Sequence, residues 1–229
     1  MSSFLEILQL QFKYQQTLVL NIEQWALEMG QIHGLVGLNG AGKSTLFRLL
    51  ASELPLQHGT VSWKGQPLNW RDVLHIPTEP SFYPGITGKD FLDLFPQERK
   101  GVKLEQWAEL LHLPLHKPIE GYSTGMKKKL GLLSMMKSAR HWLLLDEPFN
   151  GLDLEAGQVL GAWLKERASA GCGVLVAAHQ LELLQGNCDL IHWLDQGQLR
   201  GSFLPEELPE LSKKMLAETN GKVKALLQV

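Results

Sequence analysis

The sequence predicts an α/β fold built on a mainly parallel sheet, and three stretches carry that prediction. Residues 32–36 form a short apolar run that passes through a glycine-rich loop into a helical pattern over residues 44–51, with Leu46, Leu49 and Leu50 recurring on one side. Residues 142–145 are apolar throughout and end in Asp146-Glu147. Residues 173–178 repeat the arrangement and end in His179. Strands that are apolar on both faces belong in covered parallel sheets, and ligands gather at the carboxyl ends of such strands.

Composition sets the outer limits. A chain of 229 residues, 44% hydrophobic, has room for one large domain with a lobe. Net charge of -2 and a pI near 6.4 give no electrostatic case for nucleic acid, so no nucleic-acid partner is expected. No apolar run approaches the roughly 18 residues of a membrane span, and Met-Ser-Ser-Phe-Leu-Glu at the start lacks the pattern of a secretory signal. Cys172 and Cys188 lie far apart without metal spacing, which fits packing residues in a reducing cytoplasm.

Taken in order, residues 5–10, 17–22 and 25–29 read as three short strands with approximate alternation. Tyr14, near Phe12, reads as a half-buried strand aromatic. His58-Gly59 and Lys64-Gly65 bracket a hairpin-like strand at residues 60–63. Residues 73–76 form a further strand, closed by Pro77. The prolines and glycines of residues 78–88 predict a loop, after which Thr87 can cap a helix running through Phe95. Residues 102–111 look helical, and Pro114 breaks the chain between His112 and His116, so these two read as surface histidines. Tyr122-Ser123-Thr124-Gly125-Met126 opens a helix over residues 127–137, whose Lys127–Lys129 run reads as a solvated face. Residues 154–170 are helical, residues 190–194 and 198–203 form a hairpin around Gln196-Gly197, and the tail from Pro205 is charged and helical.

The glycine-rich loop reads Gly37-Leu38-Asn39-Gly40-Ala41-Gly42-Lys43-Ser44-Thr45, which fits G-x-x-x-x-G-K-[ST]. Its glycines let backbone N–H groups wrap around phosphate oxygens, and the following helix adds its positive end. Lys43 can reach the β- and γ-phosphates, and the Ser44 hydroxyl can ligate Mg²⁺. Asp146, at the end of a buried strand, can hold Mg²⁺ through water, while Glu147 is placed to orient or deprotonate an attacking water. His179 arrives at the same sheet edge as a candidate γ-phosphate contact.

Together these motifs resemble the ATP-binding subunit of ABC transporters, from about Tyr14 to Glu207. Gly37–Thr45 looks like Walker A, Leu143–Glu147 like Walker B, Asn150-Gly151-Leu152-Asp153 like the D-loop, and His179 like the switch histidine. Tyr122–Met126 looks like the signature that sets this family apart, with Thr124 in place of a glycine; its Tyr-Ser-x-Gly-Met form is similar to exporter ATPases of the drug and bacteriocin type. The resemblance implies a P-loop NTPase fold: an ABC-type, RecA-like core, an antiparallel β part, and a small helical lobe at about residues 82–128, within a single ATP-binding domain over residues 1–229.

For the site, the resemblance implies that Tyr14 stacks on adenine and that ATP and Mg²⁺ are held by Gly37, Asn39, Gly40, Ala41, Gly42, Lys43, Ser44, Thr45 and Asp146. Ser123 and Gly125 then come from a second copy, or a paired cassette, meeting the first head to tail, and Asp153 of the D-loop is a further nucleotide-binding residue. Lys43, Glu147 and His179 carry catalysis. The family's Q-loop glutamine falls on Thr78, which is too short for the same task, so either Glu79 substitutes or water fills the gap. The implied partner is a membrane-spanning transporter subunit at the cytoplasmic face, an exporter by the form of the signature. Phe82 or Tyr83 is expected to be exposed toward it, with Phe91 and Phe95 packed in the lobe. The alternatives are a soluble ABC ATPase acting on ribosomes or DNA, and a cassette that binds ATP but hydrolyses it weakly.

Overall fold

The computed structural model describes residues 4–96, 99 and 101–227. The extreme N-terminus, residues 97, 98 and 100 of the expected lobe, and the last two residues of the expected tail lie outside these.

Four strands make an antiparallel sheet in the order β2-β1-β4-β5: β1 (Phe4–Tyr14), β2 (Thr17–Glu28), β4 (His58–Trp63) and β5 (Gln66–Pro67). The three short strands expected at the N-terminus are two long ones. Pairing runs from Phe4↔Glu28 to Tyr14↔Thr17, so residues 17–22 and 25–28 belong to one strand. Alternation is broken because both strands change parity at the same level. Gln9 takes a left-handed φ of 52° within a bulge, which moves the buried positions of β1 from Leu5 and Ile7 to Leu10 and Phe12. Opposite it, the buried positions of β2 shift from Leu20 and Ile22 to Trp25 and Leu27. The β4–β5 turn is Lys64-Gly65, both at positive φ, the conformation of a tight two-residue hairpin.

The second sheet has six strands in the order β10-β9-β3-β8-β7-β6: β3 (Ile32–Val36), β6 (Val73–Ile76), β7 (Trp142–Asp146), β8 (Gly173–Ala178), β9 (Leu190–Asp195) and β10 (Gln198–Phe203). All neighbours are parallel except β9–β10, joined through Gln196-Gly197 at positive φ. The glycine-rich loop leaves β3 and enters α1 (Lys43–Leu50) at the centre of this sheet. Odd and even residues of the parallel strands feed two different cores. Leu35, Leu144 and Leu175 pack with α1 and the antiparallel sheet. Val36, Leu145 and Val176 pack with α4 (Thr124–Met135), α5 (Leu154–Ser169), α6 (Leu181–Gln185) and α7 (Leu208–Leu227).

The strand that carries the loop is tied by a buried polar chain. His33 Nε2 lies 3.0 Å from the Glu28 carbonyl, which can only accept, so the His33 proton sits there and Nδ1 is the acceptor. His192 Nε2–H then donates to His33 Nδ1 at 3.1 Å. His192 Nδ1 in turn accepts from Trp25 Nε1–H at 3.2 Å and from the Ser202 hydroxyl at 2.7 Å. Both rings are neutral. Burial lowers the His33 pKa, and burial together with the neighbouring His33 lowers that of His192 to about 3.

In the lobe, Thr87 caps α2 (Gly88–Asp93) in a reciprocal box with Asp90, and α3 (Leu104–Leu110) follows. The 78–88 loop divides its two rings. Tyr83 is 68% exposed, whereas Phe82 packs on Phe91 with ring centroids 4.7 Å apart. Phe91 is buried and Phe95 packs against the same core. His112 is exposed and lies 3.4 Å from Glu155, and no metal-ligating group of three is found among the described residues.

Two expectations fail at α4. The helix starts at Thr124, three residues early, because Ser123 accepts the Met126 N–H at 3.2 Å and so sets the cap. The lysine run is not a solvated face either, since Lys128 and Lys129 are each only 8% exposed. Lys128 lies four residues before Leu132 and seven before Met135; Lys129 lies four before Leu133. Both therefore share stripes with buried residues, and the helix is covered almost all round.

Candidate functional site

Gly42 caps α1 at a φ of 105° with no side-chain hydrogen bond, so the first N–H groups of the helix stay free at its positive end. The close approach of other chain segments explains two glycines. A Cβ at Gly37 would lie 2.3 Å from the Leu194 carbonyl oxygen, and one at Gly42 would lie 2.8 Å from Leu20 Cδ2. The loop leans on its surroundings through Gly197 N–H, which donates to Ala41 O at 3.0 Å.

Beneath the loop is a cavity of about 470 Å³, within the range of small-molecule sites. Its walls are Asn39, Gly40, Ala41, Gly42, Lys43, Ser44 and Thr45 from the loop, Asp146, Glu147 and His179 from the ends of β7 and β8, and Val19, Thr78 and Asn150. Lys43 Nζ donates to Gly37 O at 2.6 Å and reaches Leu38 O at 3.4 Å. Burial lowers its pKa, while Glu147 and Asp146 act the other way. Ser44 Oγ donates to Asp146 Oδ2 at 2.5 Å. These two oxygens, from a hydroxyl and a carboxylate, are the hard donors that Mg²⁺ takes. An ammonium, a ring of free backbone N–H groups and this oxygen pair fit a triphosphate with its metal.

Glu147 sits in a left-handed conformation, φ 53°, which costs a non-glycine residue about 1–3 kcal/mol. Its N–H bonds to Ala177 O at 3.0 Å, and its Oε2 accepts from His179 Nδ1–H at 2.9 Å. That bond fixes the ring with His179 Nε2 facing outward, 3.4 Å from Gln180 Nε2. Thr78 borders both this cavity and a second one of about 380 Å³, which Glu79, Thr124, Lys127, Lys128 and Asn150 also line.

The remaining candidates stand apart from the cavity. Tyr14 ends β1 at 42% exposure, edge-on to Phe12, with its hydroxyl accepting from Arg48 Nη1 at 3.3 Å. Ser123 and Gly125 open α4, Gly125 against the Gly151 carbonyl. Asp153 caps α5 through Ala156 N–H at 2.9 Å and pairs with Lys129 Nζ at 2.6 Å. Hydrogen bonds from Lys129 and Ala156 hold its carboxyl below the usual carboxylate range. Sequence reading missed Lys128, Lys129 and Val19; the spacing of the lysines from Leu132 and Leu133 is the signal that points to them.

Residues 20–150 match the profile of the family described as ABC transporter. The chain belongs to that family. ABC ATP-binding domains are ATPases, and the relatives are ATP-binding transporter subunits. The uncharacterized ABC transporter ATP-binding protein YdbJ of Bacillus subtilis (strain 168) is 30% identical over 209 residues, 86% of this chain and 68% of that protein. YhaQ of the same strain is 31% identical over 179 residues, 73% of this chain and 60% of its own length. The bacitracin transport ATP-binding protein BcrA of Enterococcus faecalis is 29% identical over 216 residues, 88% of this chain and 70% of that protein. At the level of fold, a solved ATP-binding subunit of an ABC transporter superposes with a TM-score of 0.81 at 24% identity, covering 96% of this chain and 99% of that one. No helix among the described residues is long and apolar enough to cross a membrane.

Proposed function

We propose that this ABC ATPase domain works as one of two cassettes that close on ATP and drive a separate membrane subunit. One observation carries this reading. Lys43, Ser44, Asp146, Glu147 and His179 converge on one cavity, while Ser123 and Gly125 are not among the residues that line it. The site then needs a second copy to supply those two from across the interface, with Asp153 beside them and Tyr14 under the adenine.

Hydrolysis is phosphoryl transfer to water, in which positioning and charge supply the rate. Lys43 offsets phosphate charge once it leaves Gly37 O. Ser44 and Asp146 would hold Mg²⁺, which supplies charge neutralisation at the phosphates when bound. Glu147 orients or deprotonates the water, and His179, fixed by its bond to Glu147, presents Nε2 to the γ-phosphate. Relatives named for cobalt import and for bacitracin transport match about equally well, at 29% identity each. The Tyr-Ser-Thr-Gly-Met signature supports export. Tyr83, exposed on the 78–88 loop, supports a contact with the membrane subunit at the cytoplasmic face.

Glu147→Gln is the test. It keeps shape but removes the base, so turnover should fall by about 10²–10⁴. ATP binding should persist, and an ATP-dependent dimer should accumulate in size-exclusion chromatography. Wild-type turnover in this variant would remove Glu147 from catalysis.

A further inference from the structure

The backbone on which Glu147 sits is held by a group that no motif names. Lys128 Nζ donates to Glu147 O at 2.6 Å and to Asn150 O at 2.6 Å. These carbonyls stand at the two ends of the turn that follows β7, which is also closed by Asn150 N–H on Glu147 O at 3.3 Å. Two carbonyl oxygens that accept from one ammonium are tied to each other through that cation. Lys128 is that cation, buried on the inner side of α4. The conformation it secures is the strained one, since Glu147 has positive φ without being glycine. The next residue, Lys129, pairs with Asp153 at the far end of the same segment. The segment from 147 to 153 is therefore pinned at both ends by consecutive lysines of one helix, the helix that Ser123 caps.

We propose that Lys128 is a positioning residue for hydrolysis: its ammonium holds the Glu147 and Asn150 carbonyls so that the Glu147 carboxylate stays aimed into the phosphate-loop cavity. The inference rests on the proposed role of Glu147. It adds that the opening helix of the Ser123 loop and the catalytic carboxylate move as one body within a single chain. Burial lowers the Lys128 pKa, while Glu147, Asp146 and Glu79 oppose that shift, in keeping with an ammonium kept by the carboxylates around it. A side chain misplaced by about 1 Å can cost on the order of a hundredfold in rate, so a backbone anchor at this point has kinetic weight.

The experiment uses the full chain in three variants, Lys128→Met, Lys128→Gln and Glu147→Gln. Lys128→Met keeps the length and apolar stem but leaves the Asn150 carbonyl without its donor and the Glu147 carbonyl with only the 3.3 Å bond from Asn150 N–H. Its kcat should fall about ten- to a hundredfold, with the ATP dissociation constant by calorimetry within about twofold of wild type. Lys128→Gln keeps N–H donors at shorter reach and should fall between the two. In the nucleotide-free protein, amide hydrogen exchange over residues 147–152 should quicken in Lys128→Met and stay at wild-type rates in Glu147→Gln. The double variant Lys128→Met/Glu147→Gln should be no slower than Glu147→Gln alone. A Lys128→Met protein with wild-type kcat and unaltered exchange would overturn the proposal. So would a kcat and ATP affinity that fall together with the folded fraction, which would make the lysine structural only. If Glu147→Gln hydrolyses ATP normally while Lys128→Met still loosens residues 147–152, the reading of Glu147 has failed and the anchor has not.

Discussion

Two helices of this protein begin at loops proposed to meet the nucleotide, and they are built in opposite ways. The phosphate loop enters α1 through glycine, with no side-chain cap, and leaves the helix N–H groups free. The Ser123 loop enters α4 through a serine that closes its own helix by bonding to Met126 N–H. Behind them the anchors differ as well. The strand leading into the phosphate loop is tied by two neutral buried histidines, and α4 by lysine ammoniums on carbonyls and a carboxylate. The first region leaves the opening of its helix uncapped, with Lys43 beside it, to meet phosphate. The second closes its own helix: Ser123 Oγ accepts from Met126 N–H and keeps its O–H, the hydrogen that a phosphate held by a second copy would take in the proposed dimer.

The sharpest way to break this contrast is Lys43→Ala. Hydrogen bonds to charged groups are worth about 1.5–3 kcal/mol, so ATP affinity should fall roughly 10- to 150-fold, measured by calorimetry on the folded variant. An unchanged affinity would mean that the loop binds through its backbone alone.

Acid should separate the two anchors. The folded-state pKa of His192 is depressed to about 3 from an unfolded value of 6.5, so the unfolded chain takes up the proton first. The stability from this histidine pair is fully present above pH 6.5 and is lost as pH falls toward 3, by an amount on the order of a few kcal/mol. Denaturant midpoints between pH 7 and pH 4 should therefore fall less steeply in His192→Phe than in wild type. Parallel slopes would show that carboxylates alone govern the acid limb.

Tyr14 tests how far the phosphate-loop region extends. Tyr14→Ala should cost about 1–3 kcal/mol of ATP affinity if the ring stacks on adenine, with Tyr14→Phe costing much less. Equal losses would point to the hydroxyl bond with Arg48. The smallest effect is expected at Ser123. Ser123→Ala removes a cap worth about 0.5–2 kcal/mol, a modest drop in thermal midpoint, and should leave the affinity of the isolated chain for ATP unchanged while weakening the ATP-dependent dimer. A dimer of wild-type strength would remove Ser123 from the interface.

The sequence by itself determined the parallel sheet, the phosphate loop and the polar ends of β7 and β8, because each is a local pattern: a short apolar run, a glycine spacing, an acid or histidine at the run's end. It also determined the Thr87 cap and the separate packing of Phe91. It could not show that residues 17–28 are one strand, because the parity change at Gln9 has meaning only beside its pairing partner. The inward turn of the lysines was equally out of reach. Taken alone, three consecutive lysines read as a solvated surface; only the carbonyls of Leu111, Glu147 and Asn150 and the carboxylate of Asp153, brought from elsewhere in the chain, make burial of two of them tolerable. The same holds for His33 and His192, 159 residues apart, whose tautomers and neutrality follow from facing one another in the dark of the sheet. Local chemistry is written residue by residue, whereas a buried polar group is licensed by its partner, and partners are chosen by the tertiary fold.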